Sequence, residues 1–160
     1  MRCEVKFGIF GDTHGSIKEL GDQGKIFNEV QFLVHTGDHW QDGLLIEKNW
    51  GIPVLAVKGN CDSGPAPSEF VFDIYDTRFF VTHGNNYGVK AGLHRLFYRA
   101  SEVGAHYCIF GHTHIPYCEK INDIVFLNPG SWTWSRSERR YAGILLSLEE
   151  NSWQCRFVHY

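Results

Sequence analysis

The sequence predicts an α/β fold in which two mixed β-sheets pack together beneath outer helices, and three observations predict it. Short apolar runs rich in Val, Ile and Phe recur along the 160 residues and stop at polar ones, the pattern of strands buried on both faces. Segments with helical spacing lie between several of these runs. Two further stretches alternate apolar and polar residues about a short turn, as antiparallel hairpins do.

The first run, VKFGIFGD, ends at Asp12. The segment from Ser16 to Val30 is expected to be helical, interrupted by Gly21 and Gly24. A second run, VQFLVHTGD, ends at Asp38 and carries His35, which is expected to point into the core or a neighbouring layer. DGLLIEKNWG then offers Asp42 as an N-cap and Gly51 as a stop for a short helix. IPVLAVKGN ends at Asn60, and the loop CDSGPAPSE follows it. EFVFDIYDTRFFVT reads as a hairpin turning near Asp76, and RFFVTH ends at His83.

In VKAGLHRLFYRASEV, residues Val89, Leu93, Leu96, Phe97, Ala100 and Val103 recur at helical spacing, and Gly104 closes the helix. HYCIFGHTH ends at His112 and His114, and NPGSWTW makes a tight turn packed by Trp132 and Trp134. An alternative for these two aromatics is a rim that stacks a nucleobase. Ala142, Ile144, Leu146 and Leu148 alternate on one closing strand, Trp153, Cys155, Phe157 and His159 on its partner, with EENS between them. His94 and His159 are expected on the surface or on the sheet.

Size and composition bound the function. Residues 1–160 suit one domain with a real core, and 43% hydrophobic with 21% charged residues is ordinary for a globular chain. A net charge of −3 argues against a partner such as a nucleic-acid duplex. Arg136, Arg139 and Arg140 form a local basic strip read as a solvated hairpin flank. Five cysteines without CxxC spacing suit a reduced chain, with Cys108 buried and inert. Glu4 and Lys6 interrupt the apolar stretch a signal peptide would need, and no run reaches the ~18 residues of a membrane span. A cytoplasmic protein without membrane attachment is therefore expected.

A Gly-Asp pair at a strand end is by itself an ordinary turn. Here, however, five successive run-ends carry Asp12, His14, Asp38, Asn60, His83, His112 and His114. Strands of shared orientation would gather all seven at one rim, where open α/β sheets bind ligands. All are competent metal ligands and none is a thiolate, a donor set favouring Mn, Fe, Zn, Co or Ni over Ca or Mg.

In order, the blocks GDTHG, GDH, GNCD, THG, GHTH and NPGS resemble those of the calcineurin-like metallophosphoesterase superfamily, and more closely its small YfcE-like phosphodiesterases. The resemblance implies a four-layer αββα sandwich with two divalent metal ions, Mn2+ foremost and Fe, Zn, Co or Ni as alternatives. One ion would take Asp12, His14 and His114, the other Asn60, His83 and His112, with Asp38 bridging. The implied reaction is hydrolysis of a small, nucleotide-like phosphodiester by in-line attack of a metal-bridging hydroxide. Asp38, Asn60, Cys61 and Asp62 form the implied catalytic set.

Two departures qualify the match. Cys61 stands where many members carry a proton-donating His, and a thiol is a weak donor. Asn85 stands where close relatives often carry a second His. His39 is read first as an exposed loop histidine, with contact to the phosphate or proton donation as its alternative. The alternatives are a phosphomonoesterase or nuclease of the same superfamily, or a non-catalytic scaffold resembling the retromer metallophosphoesterase-like subunit. A homo-oligomer is left open.

Overall fold

The structure, a computed structural model, describes residues 3–16, 27, 29–133 and 141–159. Among these residues ten strands and two α-helices follow in the order β1 (Val5–Phe10), β2 (Phe32–His35), α1 (Gln41–Trp50), β3 (Val54–Ala56), β4 (Glu69–Ile74), β5 (Thr77–Thr82), α2 (His94–Glu102), β6 (Tyr107–Ile109), β7 (Pro116–Ile121), β8 (Ile124–Pro129), β9 (Tyr141–Glu149) and β10 (Ser152–His159). They form two five-stranded sheets, β10-β9-β1-β2-β3 and β4-β5-β6-β8-β7. Both are mixed. The runs β1-β2-β3 and β5-β6-β8 are parallel, and the hairpin strands pair antiparallel at the edges.

Three apolar layers make this the expected sandwich. Phe7, Ile9 and Val34 of one sheet meet Phe79, Val81, Ile109 and Leu127 of the other. On the outer face of the second sheet, Phe80, Cys108 and Phe126 pack beneath Leu96 and Ala100 of α2. On the outer face of the first, Phe10 and Leu33 pack with Ile46 of α1, Phe27 and Trp132. Successive residues of one strand therefore serve different layers, Ile9 the inner and Phe10 the outer. That is why the runs carry no polar alternation. Each buried Phe or Leu contributes about 1.5–3 kcal/mol.

Several expectations are corrected. The helix expected from Val89 begins only at His94, because Gly92 sits at φ 145°, outside any helical conformation. A 3-10 turn at Asn85–Tyr87 occupies the preceding segment. Asp42 is not the cap of α1: Trp40 precedes the helix, and Asp42 lies inside its first turn. Strand β3 is an edge strand with Leu55 exposed, so it is not buried on both faces. Trp132 is only 1% exposed, which removes it from any stacking rim.

The β7–β8 hairpin had no reading in the sequence, since PYCEKI is largely exposed and lacks clean alternation. The helix expected over 16–30 falls largely outside the described residues, as do Trp134, Arg136, Arg139 and Arg140. Among the described residues, no helix is long and apolar enough to cross a membrane.

Candidate metal centre

The carboxyl ends of β1, β2, β3, β5 and β6 open onto one rim, and the seven residues read from the sequence stand there. Side-chain ligand atoms of Asp12, His14, Asp38 and His114 lie within 4.8 Å of one another. So do those of Asp38, His83 and His112, which makes Asp38 common to both groups. Asn60 joins the second, its Oδ1 being 3.2 Å from His83 Nε2. Asp12 and His83 are fully buried and Asp38 is 3% exposed, whereas His14 lies at the surface.

The backbone is bent to reach this arrangement. Asp12, His14, Asp38, His39, His112 and His114 all have φ between 47° and 69°. Such conformations are sparsely populated by residues other than glycine and cost on the order of 1–3 kcal/mol each, less for Asp and His than for branched residues. Hydrogen bonds hold these turns. The Asp12 N–H donates to Gly37 O at 2.9 Å. Ser131 Oγ and Thr133 Oγ1 donate to the Asp12 carbonyl at 3.1 and 3.2 Å. This gives the NPGS block a role beyond a turn.

Inside the cluster, Asp12 accepts the His112 N–H at 3.3 Å and faces His114 Nε2 at 3.1 Å. Asp38 Oδ1 accepts the Cys61 N–H at 3.0 Å and lies 3.5 Å from His83 Nε2. His83 Nδ1 donates to Thr36 O at 2.7 Å, and its Nε2 is 3.2 Å from His112 Nδ1. Burial alone would raise the Asp38 carboxyl. Hydrogen bonds and charge from His83, with the Cys61 N–H, outweigh it and hold Asp38 well below the usual carboxylate range. Burial would likewise lower His83, yet Asp38 and Asp12 raise it above 6.5. Burial and the charge of His83 together push His112 down to about 4.

Asp62 is turned toward backbone amides. Its Oδ1 accepts from His39 N at 2.6 Å and Trp40 N at 3.4 Å, and its Oδ2 accepts from Gly59 N at 2.7 Å. It clasps the loop after β3 to the loop after β2. The exposed Cys61 thiol accepts from Asn60 Nδ2 at 3.4 Å, and burial with the charge of Asp38 pushes its pKa up. The His39 ring stands 5.8 Å from that of His14. Asn85 bonds its neighbour Asn86 at 3.2 Å.

Sequence reasoning missed the supports. Asn128, fully buried, donates to Gly111 O at 3.0 Å and Thr113 Oγ1 at 3.1 Å and accepts the Gly130 N–H at 2.9 Å, so it shapes the GHTH turn. Thr36 supplies the carbonyl that orients His83. Thr13 and Asp42 are buried behind the rim, beside His35, whose burial is the one expected from the sequence. A polar residue inside an otherwise apolar run was the available signal for His35 and Asn128. The apolar cavity of about 460 Å³ between α2 and β7, lined by Leu93, Phe97, Tyr98 and Tyr117, contains none of the seven.

Known proteins resemble this chain in sequence and in fold. Residues 5–151 match the family model described as the calcineurin-like phosphoesterase superfamily domain. The probable metallophosphoesterase YsnB of Bacillus subtilis is 34% identical over 152 residues, covering 93% of this chain and 88% of its own. The phosphodiesterase YfcE of Escherichia coli is 35% identical over 153 residues, covering 79% of each. A solved Streptococcus pneumoniae phosphoesterase-like chain superposes with a TM-score of 0.84 at 24% identity, covering 99% of this chain and 91% of that one. Vacuolar protein sorting 29 of Cryptosporidium parvum gives 0.78 at 19% identity, covering 99% of both. At those identities the two structures speak for the fold alone.

Proposed function

The chain belongs to the calcineurin-like phosphoesterase superfamily, and from that premise we propose that it is a metal-dependent phosphodiesterase whose rim cluster holds two divalent ions. One observation carries the reading. His83 commits its Nδ1 proton to the Thr36 carbonyl, so its neutral ring turns a lone pair from Nε2 toward Asn60 Oδ1 and Asp38 Oδ1, themselves acceptors. More lone pairs than protons converge there, and a cation resolves the excess. The rise in the His83 pKa has the same origin: without a metal, a proton is drawn in instead.

Asp12, His14 and His114 would hold one ion and Asn60, His83 and His112 the other, with Asp38 shared. Imidazole and oxygen donors without sulfur suit Mn, Fe, Zn, Co or Ni, and Mn2+ is our first choice. Bound there, the ions would supply Lewis acidity and lower the pKa of a water toward neutrality. The residues contribute orientation and charge. Asp38 stays anionic because His83 and the Cys61 N–H hold its pKa down. Two carboxylates against two divalent ions leave about +2, which draws a phosphodiester anion. The Thr36 carbonyl fixes the His83 ring, and Asp62 fixes the turn bearing Asn60 and Cys61.

The Cys61 thiol, a weak donor, favours small diesters whose leaving groups are stable as anions. Nitrophenyl diesters fall in this class, whereas a nucleotide-like diester, whose leaving alkoxide needs a proton, is the slower substrate of the two. A net charge of −3 speaks against a nuclease, and the complete donor set against a non-catalytic scaffold. We further propose that residues 1–160 work as one domain in the cytoplasm.

The test is a metal-stripped chain, reloaded with Mn2+ and assayed on bis(p-nitrophenyl) phosphate and p-nitrophenyl phosphate. Expected is metal-dependent turnover with the larger kcat/KM for the diester, abolished by chelator. Preference for the monoester would overturn the diesterase assignment. Silence on both substrates with every one of the five metals would favour the scaffold.

A further inference from the structure

Behind the rim runs a chain of buried polar groups that touches both ion-bearing turns. His35 Nδ1 accepts the Gly37 N–H at 3.0 Å, so in the neutral ring Nε2 carries the proton. That proton points at Thr13 Oγ1, 3.1 Å away. The Thr13 hydroxyl in turn donates to Asp42 Oδ2 at 2.5 Å, and the same oxygen accepts the Gly15 N–H at 3.0 Å. From Gly37 to Asp42 each group donates to the next, and Gly15 donates to Asp42 from the other side. Thr13 and His35 are fully buried and Asp42 is 5% exposed.

The ends of this chain matter more than its middle. Gly15 and Thr13 belong to the turn that carries Asp12 and His14, both held at positive φ. Gly37 belongs to the turn that carries Asp38. The chain therefore spans from the first ligand group to the shared carboxylate, and Asp42 anchors it on α1. Hydrogen-bonded partners behind ligating groups fix ligand geometry, and their loss typically costs 10–100-fold in metal affinity.

We propose that Asp42, Thr13 and His35 are positioning residues that set the spacing between the Asp12–His14 turn and the Gly37–Asp38 turn, and so determine whether two ions bind as a pair. The proposal rests on the phosphodiesterase reading above. Thr13 is the residue to change, because Thr13→Val removes the hydroxyl's contacts with His35, Asp42 and the Asp38 carbonyl at nearly constant shape and Thr13→Ser keeps the hydroxyl.

Mn2+ binding to the metal-stripped full chain, followed by calorimetry and by electron paramagnetic resonance, tests it. Wild type and Thr13→Ser are expected to bind two Mn2+ with the spectrum of a spin-coupled pair. Thr13→Val, folded by circular dichroism, is expected to bind its second ion at least tenfold more weakly and to lose the coupled spectrum. A valine variant that keeps both ions, coupled and with wild-type affinity, overturns the positioning role alone. A wild-type chain that binds none of Mn, Fe, Zn, Co and Ni overturns the phosphodiesterase reading and the positioning role with it. Should Thr13→Val fail to fold, Asp42→Ala cuts the same chain at its other end and carries the same two outcomes.

Discussion

Asp38 and Asn60 stand at equivalent strand ends yet have unequal duties. Asp38 belongs to both ligand groups, whereas the Asn60 side-chain oxygen lies against His83 of the second group. Asp38→Asn is expected to lose most bound metal and activity, and Asn60→Ala to keep about one ion per chain. Elemental analysis of the purified variants decides this, and two full equivalents in Asp38→Asn would defeat the shared-ligand assignment. His35 offers a test that needs no metal. Burial, then the charge of His83, pushes its pKa down to about 3 from 6.5. Between those values the unfolded chain binds a proton that the folded chain refuses, so acid destabilises the fold there, by up to about 1.4 kcal/mol per pH unit. In the metal-free chain, His35→Gln should take up to one proton fewer on unfolding than wild type across pH 4–6. Equal slopes in denaturant titrations would contradict that. The seven rim residues were legible as a set, because five successive apolar runs end at them, while each alone reads as a turn. Thr13 and Asp42 were illegible, because their partners lie 22 to 29 residues away and leave no local pattern.

At the scale of elements, strands were easier to read than helices for a physical reason. A strand buried between two apolar layers needs apolar residues on both faces, and FGIF of β1 and FLV of β2 supply them. The apolar spacing from Val89 was also real, since Val89, Leu93, Leu96 and Ala100 share one cluster. Spacing registers which face is apolar, however, and says nothing of the turn that Gly88 and Gly92 impose first. Strand-end turns are packed as tightly as the core. At Gly59, a Cβ would sit 2.1 Å from Asp38 Oδ1 and 2.6 Å from Asp38 N, distances that force the carboxylate aside. Gly59→Ala is accordingly expected to reduce Mn2+ affinity by at least tenfold while leaving the circular dichroism spectrum largely intact. Wild-type affinity in that variant would mean that the turn yields without moving Asp38.

The whole molecule packs two sheets face to face with their strand ends side by side, so that neither alone makes the site. The first supplies Asp12, His14, Asp38 and Asn60 from the ends of β1, β2 and β3, the second His83, His112 and His114 from β5 and β6. Contacts across the seam tie them: His83 to the Thr36 carbonyl, and the His112 N–H to Asp12. This meeting was legible only as five run-ends that would share a rim if their strands ran the same way. The parallel pairing of β1-β2-β3 and of β5-β6 meets that condition. The most direct measurement is crystallography of the Mn2+-loaded chain with anomalous scattering at the manganese edge. Two anomalous peaks roughly 3.5–4 Å apart are expected, one beside Asp12, His14 and His114 and one beside Asn60, His83 and His112, with Asp38 between them. A single peak, or manganese bound away from these residues, would contradict a two-ion centre.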